Sequence, residues 1–231
     1  MSFLETSIGW LAPPQCVGCA AEGSALCKSC STSGILSFGE RCAYCGSLSA
    51  HCRTCQHCRR PGTPRFVWIT STHEGLAQEL VRIYKFGQLR AAAQPLAGLM
   101  AQTFLTYNTQ GYPNKANYLA VPLPTATSHV RQRGFDHSAL LARTVSKKLG
   151  LQYSQSLGRL GQTRQIGASR QVRLSQQAGN YFVRQPRKIA GRNILLIDDV
   201  ITTGGSLIAA TQVLRATGAN HVDALVFAKR L

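Results

Sequence analysis

The residues best suited to chemistry lie in one run, residues 194–206, which combines two adjacent carboxylates with hydroxyl groups and glycines. Its four aliphatic residues, 194–197, predict a strand buried on both faces. Asp198 and Asp199 follow at the carboxyl end of this strand, and the small residues 202–206 predict a turn leading into a helix. Glycine N–H groups and a helix N-terminus attract phosphate. Adjacent carboxylates would repel that phosphate unless they bind ribose hydroxyls or help to place a divalent metal. The run therefore predicts a site for a phosphorylated ribose, and the simpler alternative is an acidic turn before a helix cap.

All nine cysteines lie between Cys16 and Cys58, mostly as C-x-x-C pairs. Such pairs place two thiolates on one tight turn, where they can bind a tetrahedral metal. The spacing predicts two structural zinc ions, one held by Cys16, Cys19, Cys27 and Cys30 and the other by Cys42, Cys45, Cys55 and Cys58. Cys52 is then spare, although Cys52 with Cys55, cross-braced pairing, or ligation by His51 or His57 remain alternatives. If no metal is bound, the cysteines would instead form disulfides or redox-active C-x-x-C pairs. A segment of about 40 residues without its own core needs a staple, which zinc supplies in a reducing compartment.

These motifs need elements to position them, and the composition changes sharply near the turn-rich stretch 59–64. We expect a zinc-ribbon domain over residues 1–62 and a larger domain over residues 63–231. In the larger domain, strands are predicted at 66–72, 117–121, 181–183, 193–197 and 222–227, and helices at 75–86, 91–107, 138–149 and 205–217. This alternation indicates an α/β fold with a mostly parallel sheet flanked by helices. Residues 151–180 show little apolar periodicity, which predicts a long mobile loop acting as a functional lid.

The charge is strongly unbalanced, since 26 Lys and Arg face nine Asp and Glu and give a net charge of +17. Residues 123–193 hold 13 of these bases and one acid, Asp136. Such a field attracts nucleic acid, polyphosphate or an anionic membrane, although a basic surface without a partner is the simpler reading. Four arginines of the expected loop could form bidentate bonds with DNA phosphates: Arg159, Arg164, Arg170 and Arg173. Tyr153 and Tyr181 could stack on bases, and core packing is their simpler role.

Residues 194–206 resemble the phosphoribosyl pyrophosphate (PRPP) signature of type I phosphoribosyltransferases. The resemblance implies that Asp198 and Asp199 are the catalytic acids that contact the ribose hydroxyls. It implies that the turn that follows binds the 5′-phosphate, with the site formed by Asp198, Asp199, Val200, Thr202, Thr203, Gly204, Gly205 and Ser206. It also implies Mg²⁺ bound with PRPP, and a parallel sheet with a variable hood for the acceptor.

Further motifs resemble the ComF family, whose members join a cysteine zinc ribbon to this fold. They are Val121-Pro-Leu-Pro124, Arg131-Gln-Arg-Gly-Phe135, Leu140-Leu-Ala142, Tyr84-Lys-Phe-Gly87 and the stretch from Arg159 to Arg173. The resemblance runs from about Cys16 to Lys229 and implies that Arg131 and Arg133 bind PRPP. The sequence departs from the family where Asp136-His137 replaces Asn-Gln and where Gln176 replaces Asn. The family is linked to natural transformation and the use of external DNA.

The expected function is therefore DNA uptake and utilisation, with binding of single-stranded DNA and of PRPP or another phosphorylated ribose. DNA-uptake or recombination proteins are the expected partners. One alternative is an active Mg-dependent phosphoribosyltransferase with an unknown acceptor, and another is a non-catalytic PRPP-sensing regulator that binds duplex DNA. The N-terminal residues do not predict a signal peptide, and no apolar run predicts a transmembrane segment. We expect a cytoplasmic protein that could lie peripherally at the inner membrane through a DNA-uptake complex.

Overall fold

A parallel five-stranded sheet forms the centre of the computed structural model, which describes residues 13–87, 89–108, 117–125, 135–160 and 181–230. The strands among these residues are β1 (Val67–Thr72), β2 (Tyr118–Pro122), β3 (Gln152–Tyr153), β4 (Leu157–Arg159), β5 (Tyr181–Val183), β6 (Asn193–Ile201) and β7 (His221–Lys229). The order in the sheet is β1-β7-β6-β2-β3, and β4 pairs with β5 in a separate antiparallel ribbon. The helices are α1 (Lys28–Gly34), α2 (Gly75–Lys85), α3 (Ala93–Tyr107), α4 (His137–Leu149), α5 (Pro186–Ile189) and α6 (Gly205–Ala216). The α/β class and the mostly parallel sheet predicted from the sequence are confirmed.

The central strands are apolar along their length because helices cover both faces of the sheet. Successive side chains of β6 alternate between two cores: Leu195 and Ile197 enter one, and Ile194 and Leu196 enter the other. The first core is closed by α2, α3 and α4. The second core is covered by α6 and by the antiparallel β4–β5 strand pair. Both cores thus meet at β6, the strand that carries the acidic pair.

The cysteine-rich segment, residues 13–62 and hereafter the ribbon, is docked on the sheet domain. Leu26 contributes to the first core, and Phe38 contributes to the second. Residues 36–38 also lie along the free edge of β1, because Phe38 N–H donates to Thr70 and Thr72 N–H donates to Leu36. The ribbon therefore covers an edge that would otherwise expose unpaired backbone groups. The boundary near residue 62 remains a prediction.

Two expectations about elements are corrected by the structure. Residues 152–153 and 157–159 are strands, not parts of a loop, and Leu157 is buried in the second core. Strands of two or three residues are too short to show a periodicity. The strand expected to end at Ile197 continues to Ile201, because β7 pairs with it along its whole length. The rest of the expected loop, residues 161–180, lies outside the described residues.

Within the described part of the chain, no helix has the length and apolar content needed to span a lipid bilayer.

Candidate ligand site and cysteine clusters

The predicted ligand residues lie at the carboxyl edge of the sheet, where β6 ends and α6 begins. Asp198 and Asp199 belong to the last part of β6, and residues 202–204 connect this strand to α6. The end of β2 at Pro122 and the end of β7 at Lys229 flank them. Ligands of open parallel sheets bind outside the carboxyl ends of the strands. The run is thus placed where this class of fold builds a site.

Asp199 forms an ion pair with a lysine to which the sequence analysis assigned no role. Lys85 Nζ, at the end of α2, lies 2.8 Å from Asp199 Oδ1, and the two side chains are 20% and 6% exposed. The other oxygen, Asp199 Oδ2, is buried and has no hydrogen-bond partner among the described residues. A buried carboxylate oxygen without a donor is costly. Oδ2 is therefore available to a donor brought by a ligand, such as a sugar hydroxyl or metal-bound water.

Asp198 points to the opposite face of β6, because successive residues of a strand alternate. Its Oδ1 accepts a hydrogen bond from the Asp199 N–H at 2.9 Å. Burial raises the pKa of Asp198 to about 8, and the Asp199 carboxylate adds to the rise, whereas Lys85 and Arg159 oppose it. This environment therefore favours the protonated form of the Asp198 carboxyl. A cation bound beside it would favour its ionised form.

The small-residue turn presents backbone N–H groups at the N-terminus of α6. Gly204 is the N-cap, with a φ of 83°, and has no side chain to cap the helix; the Gly205 N–H donates a long hydrogen bond, 3.5 Å, to Thr203 Oγ1. Uncapped N–H groups at the positive end of a helix are suitable partners for an anion. Lys229 Nζ donates to the Thr202 carbonyl and holds the turn against β7. Four residues of the turn are exposed to solvent: Thr202, Thr203, Gly205 and Ser206.

A cavity of about 200 Å³ lies beside this edge, between the end of β2 and the β4–β5 strand pair. Arg159 and Arg184 line it together with Asp136, whose Oδ1 also caps α4 by accepting from the Ala139 N–H at 3.0 Å. The guanidinium of Arg159 stacks over the buried ring of Tyr181 at 5.7 Å. Arg159, expected to bind DNA, is thus placed near the acidic pair. The mixed charge of the lining suits a polar or anionic group.

The structure brings eight cysteines together as two groups of four. The groups are Cys16, Cys19, Cys27 and Cys30, and Cys42, Cys45, Cys55 and Cys58, and the sulfurs of each group lie within 4.8 Å of one another. A tetrahedral zinc with Zn–S bonds of about 2.3 Å separates its sulfurs by about 3.8 Å. The Cys19–Cys27 and Cys45–Cys55 sulfurs are 3.7 and 3.6 Å apart. Both groups fit structural zinc.

Neighbouring cysteines shift the pKa values of one another's thiols within each group, and this coupling favours a bound cation. The N–H of Cys27 lowers the pKa of Cys16 to about 6, because it donates to the sulfur. Hydrogen bonds with Cys27 and Cys19 raise the pKa of Cys30 to about 12. Four thiolates this close cannot coexist without a positive charge between them. Cys52 lies outside both groups, and burial raises its pKa to about 12.

The second cysteine group contacts the ligand turn through Tyr44, which lies between Cys42 and Cys45. A Cβ added to Gly204 would lie 2.5 Å from Tyr44 Cε1, so the ring covers the glycine directly. The Tyr44 hydroxyl is buried and has no hydrogen-bond partner among the described residues. Burial raises the pKa of Tyr44, and Cys42 and Cys58 add to the rise. The segment between Cys42 and Cys45 thus packs directly against the turn that precedes α6.

Sequence reasoning missed three residues of this site: Lys85, Tyr44 and Lys229. Lys85 stands inside the quoted Tyr84-Lys-Phe-Gly87 motif, which was the only available signal. Nothing in the local sequence distinguishes Tyr44 or Lys229. Five residues assigned to PRPP or DNA lie outside the described residues, and their roles stay predictions: Arg131, Arg133, Arg164, Arg170 and Arg173.

Comparisons with known proteins agree with the arrangement at the sheet edge. Residues 136–231 match the family described as "Phosphoribosyl transferase domain". Competence protein ComFC of Bacillus subtilis is 26% identical over 200 residues, which are 84% of this chain and 79% of that protein. DNA utilization protein YhgH of Salmonella typhi is 29% identical over 188 residues, 79% of this chain and 81% of that protein. The chain is a homologue of ComFC and YhgH.

A further similarity covers less than half of the chain. Uracil phosphoribosyltransferase of Streptomyces coelicolor is 31% identical over 116 residues, which are 44% of this chain and 55% of that protein. The ComFC and YhgH homologues instead extend over most of the chain. The chain therefore combines a phosphoribosyltransferase-like domain with two four-cysteine groups of the zinc-ribbon kind.

Proposed function

We propose that this protein is a cytoplasmic DNA-utilisation protein that binds single-stranded DNA and binds PRPP, or another phosphorylated ribose, with Mg²⁺. The names of its homologues support a role in competence or DNA utilisation. The phosphoribosyltransferase-like domain supports a phosphoribosyl ligand. The net charge of +17 supports a polyanionic partner.

The observation that carries the ligand assignment is the buried, unpartnered Oδ2 of Asp199 beside the uncapped start of α6. A phosphorylated ribose satisfies both features at once. Its hydroxyls donate to the acidic pair, and its 5′-phosphate accepts from the N–H groups of the turn and from the hydroxyls of Thr202, Thr203 and Ser206. Carboxylate and hydroxyl oxygens are also the ligands that Mg²⁺ prefers. Bound Mg²⁺ would neutralise pyrophosphate charge.

In this assignment, the two acids have different tasks because their surroundings differ. Asp199 is oriented by its ion pair with Lys85, so it can accept a hydrogen bond from a ribose hydroxyl through Oδ2. Burial favours the protonated form of Asp198, and a bound cation would favour its ionised form, which could accept a hydrogen bond on the other face of β6. The positive charge of Arg159 lowers the pKa of Asp198, and its guanidinium lines the adjacent cavity, where it could contact anionic oxygens of a ligand.

Turnover of PRPP is the second candidate, and the 200 Å³ cavity beside the acids favours it. Breaking the bond between C1′ and pyrophosphate creates positive charge on the ribose and negative charge on the leaving group. Carboxylates below the ribose and arginines around the cavity would stabilise these charges. The acceptor would enter beside Gln155 and Arg184, which line the same cavity. A sensor that binds PRPP without turnover would keep the contacts of the acids and the turn with PRPP, but would not cleave the bond between C1′ and pyrophosphate.

Isothermal titration with PRPP and Mg²⁺ tests the ligand site. Thr203→Ala removes one donor to the phosphate and should weaken binding about ten- to hundredfold, since a hydrogen bond to a charged group contributes ~1.5–3 kcal/mol. Thr217→Ala, at the other end of the same helix, is the matched control and should leave the affinity unchanged. Asp199→Asn should also weaken binding. Equal affinities for all variants would show that the ligand binds elsewhere.

Fluorescence anisotropy with single-stranded DNA over a salt series tests the second half of the proposal. Binding that weakens as salt rises supports contacts with the phosphate backbone. PRPP binding without DNA affinity would favour the enzyme instead, and pyrophosphate release in the presence of candidate acceptors would then identify the reaction. Fractionation of cells with and without the DNA-uptake machinery tests the expected cytoplasmic location with peripheral contact at the inner membrane.

A further inference from the structure

A second basic surface lies in a groove between the ribbon and the sheet domain. Its volume is about 560 Å³, within the range of ligand sites of ~300–1,000 Å³. Five arginines line it, from the ribbon, from the stretch that follows it and from α6: Arg53, Arg59, Arg60, Arg65 and Arg215. No acidic residue is among the described residues that line it.

Three hydrogen bonds fix the positions of the segments that line the groove. Arg59 N–H donates to the carbonyl of Cys55, so its backbone belongs to a zinc-binding turn. Thr54 Oγ1 donates to Pro64 at 2.6 Å, which ties the two walls together. Gln212 of α6 donates to Pro61 at 3.3 Å and fixes the floor. The arginines therefore project from a docked turn, although composition alone indicated a linker.

The groove is strongly positive because four of its five lining arginines form no salt bridge with a described acidic residue. Arg65 pairs with the fully buried Asp223, with its Nη2 at 2.7 Å from Oδ2. The other four, Arg53, Arg59, Arg60 and Arg215, are exposed and form no salt bridge with any residue that the structure describes. Four guanidinium groups that line one groove without a carboxylate create a positive potential, which a ligand with several negative charges would neutralise.

We propose that this groove binds the phosphodiester backbone of single-stranded nucleic acid. The inference rests on the nucleic-acid half of the proposed function and names the surface responsible. Guanidinium groups form bidentate bonds with phosphate oxygens. A groove admits a flexible strand, whereas the flat surface of a bilayer cannot enter it. None of the described residues with large exposed apolar side chains lines the groove, so it offers nothing to insert into a membrane.

The chemistry of the lining also predicts how the strand is read. No aromatic side chain is among the described lining residues, so bases have no stacking platform there. Binding through phosphates alone is independent of sequence. The groove is also distinct from the ligand turn, because Gly205 and Arg215 are separated by ten residues of helix, or about 15 Å.

The test compares two triple variants that lose the same charge. Arg59→Gln/Arg60→Gln/Arg215→Gln removes three groove cations, and Lys148→Gln/Arg187→Gln/Lys188→Gln removes three exposed cations elsewhere. Full-length zinc-loaded protein is titrated into labelled oligothymidylate and oligocytidylate of about 20 nucleotides, longer than a typical site. The groove variant should bind at least about tenfold more weakly, and its log–log salt slope should fall by about 2, at ~0.7 per lost contact. The control should change affinity less than about twofold, and both oligonucleotides should behave alike.

Several outcomes would overturn the inference. If the groove variant binds like the control while wild type binds DNA, the groove is wrong and the proposed function stands. If wild type binds no DNA, the nucleic-acid half of the proposed function fails as well. If the groove variant loses affinity only for phosphatidylserine vesicles, the surface is a membrane site. Arg215→Gln alone, remote in sequence from every cysteine, should reproduce about one third of the slope change with two zinc ions retained, which separates the groove from damage to the ribbon.

Discussion

Gly204→Ala is the sharpest test of the contact between the cysteine turn and the ligand turn. Gly204 has a φ of 83°, which costs a residue with a side chain about 1–2 kcal/mol. The new Cβ would also lie 2.5 Å from Tyr44 Cε1 and 3.1 Å from Cδ1, and overpacking of this kind costs about 1–3 kcal/mol. We therefore expect a total destabilisation of about 2–5 kcal/mol. At roughly 3 °C per kcal/mol for a chain of this size, the Tm should fall by about 6–15 °C.

Urea denaturation of zinc-loaded protein measures this cost, and a double-mutant cycle divides it. In a Tyr44→Ala background the clash is absent, so Gly204→Ala should cost only the backbone contribution of about 1–2 kcal/mol. Gly205→Ala is the matched control, because its nearest neighbouring atom would be Thr203 Oγ1 at 3.7 Å. Its stability should stay within about 0.5 kcal/mol of wild type. Additive costs for Gly204→Ala and Tyr44→Ala would refute the contact.

Three further predictions concern the acids, their partner and the metal. The pKa of Asp198 is raised from 3.8 to about 8, so the folded protein holds an extra proton between these values and its stability falls as pH rises through that window, measured by urea midpoints. Lys85→Gln leaves a buried carboxylate unpaired and should cost about 3–5 kcal/mol, whereas Arg82→Gln, which breaks an exposed pair on the same helix, should cost less than about 1 kcal/mol. Cys55→Ser should reduce bound zinc from about two ions per chain to about one by metal analysis, whereas Cys52→Ser should retain both.

Each of these predictions has an outcome that contradicts it. Stability that rises between about pH 4 and pH 8, or an unchanged profile in Asp198→Asn, would show that this carboxyl is not protonated by burial. Equal losses for Lys85→Gln and Arg82→Gln would mean that the Lys85 pair is effectively solvated. Loss of zinc in Cys52→Ser would make that thiol a ligand and require a different assignment of the second group.

The site was predictable from sequence where its residues are contiguous. Residues 194–206 supply strand, acids, turn and helix start in order, so local patterns identify them. The cysteine pairs are local in the same way, because C-x-x-C fixes its own geometry. The end of β6 was predicted four residues early, since two carboxylates resemble a strand end. Backbone pairing does not depend on side-chain charge, and β7 pairs with the strand as far as Ile201.

The remaining features depend on contacts between distant parts of the chain. Lys85 contacts Asp199 from more than a hundred residues away, and Tyr44 contacts Gly204 from within the ribbon. The arginine groove is a similar case: Arg59 and Arg60 were visible only as part of a linker, and Arg215 only as the end of a helix. Their charges become one surface because Gln212 and Pro61 hold the two segments together. No periodicity or motif contains that information.

The pairing of residues 36–38 with β1 has a consequence for how the chain is made. β1 pairs on its other edge with β7, and Thr72 meets Lys229, near the C-terminus. During synthesis, β1 therefore emerges long before its sheet partner, as an apolar strand with two open edges. The ribbon emerges earlier still, and Phe38 and Leu36 can occupy one edge as soon as β1 is exposed. The ribbon can thus shield β1 in the nascent chain, and we expect the phosphoribosyltransferase-like domain expressed without the ribbon to aggregate more readily during translation.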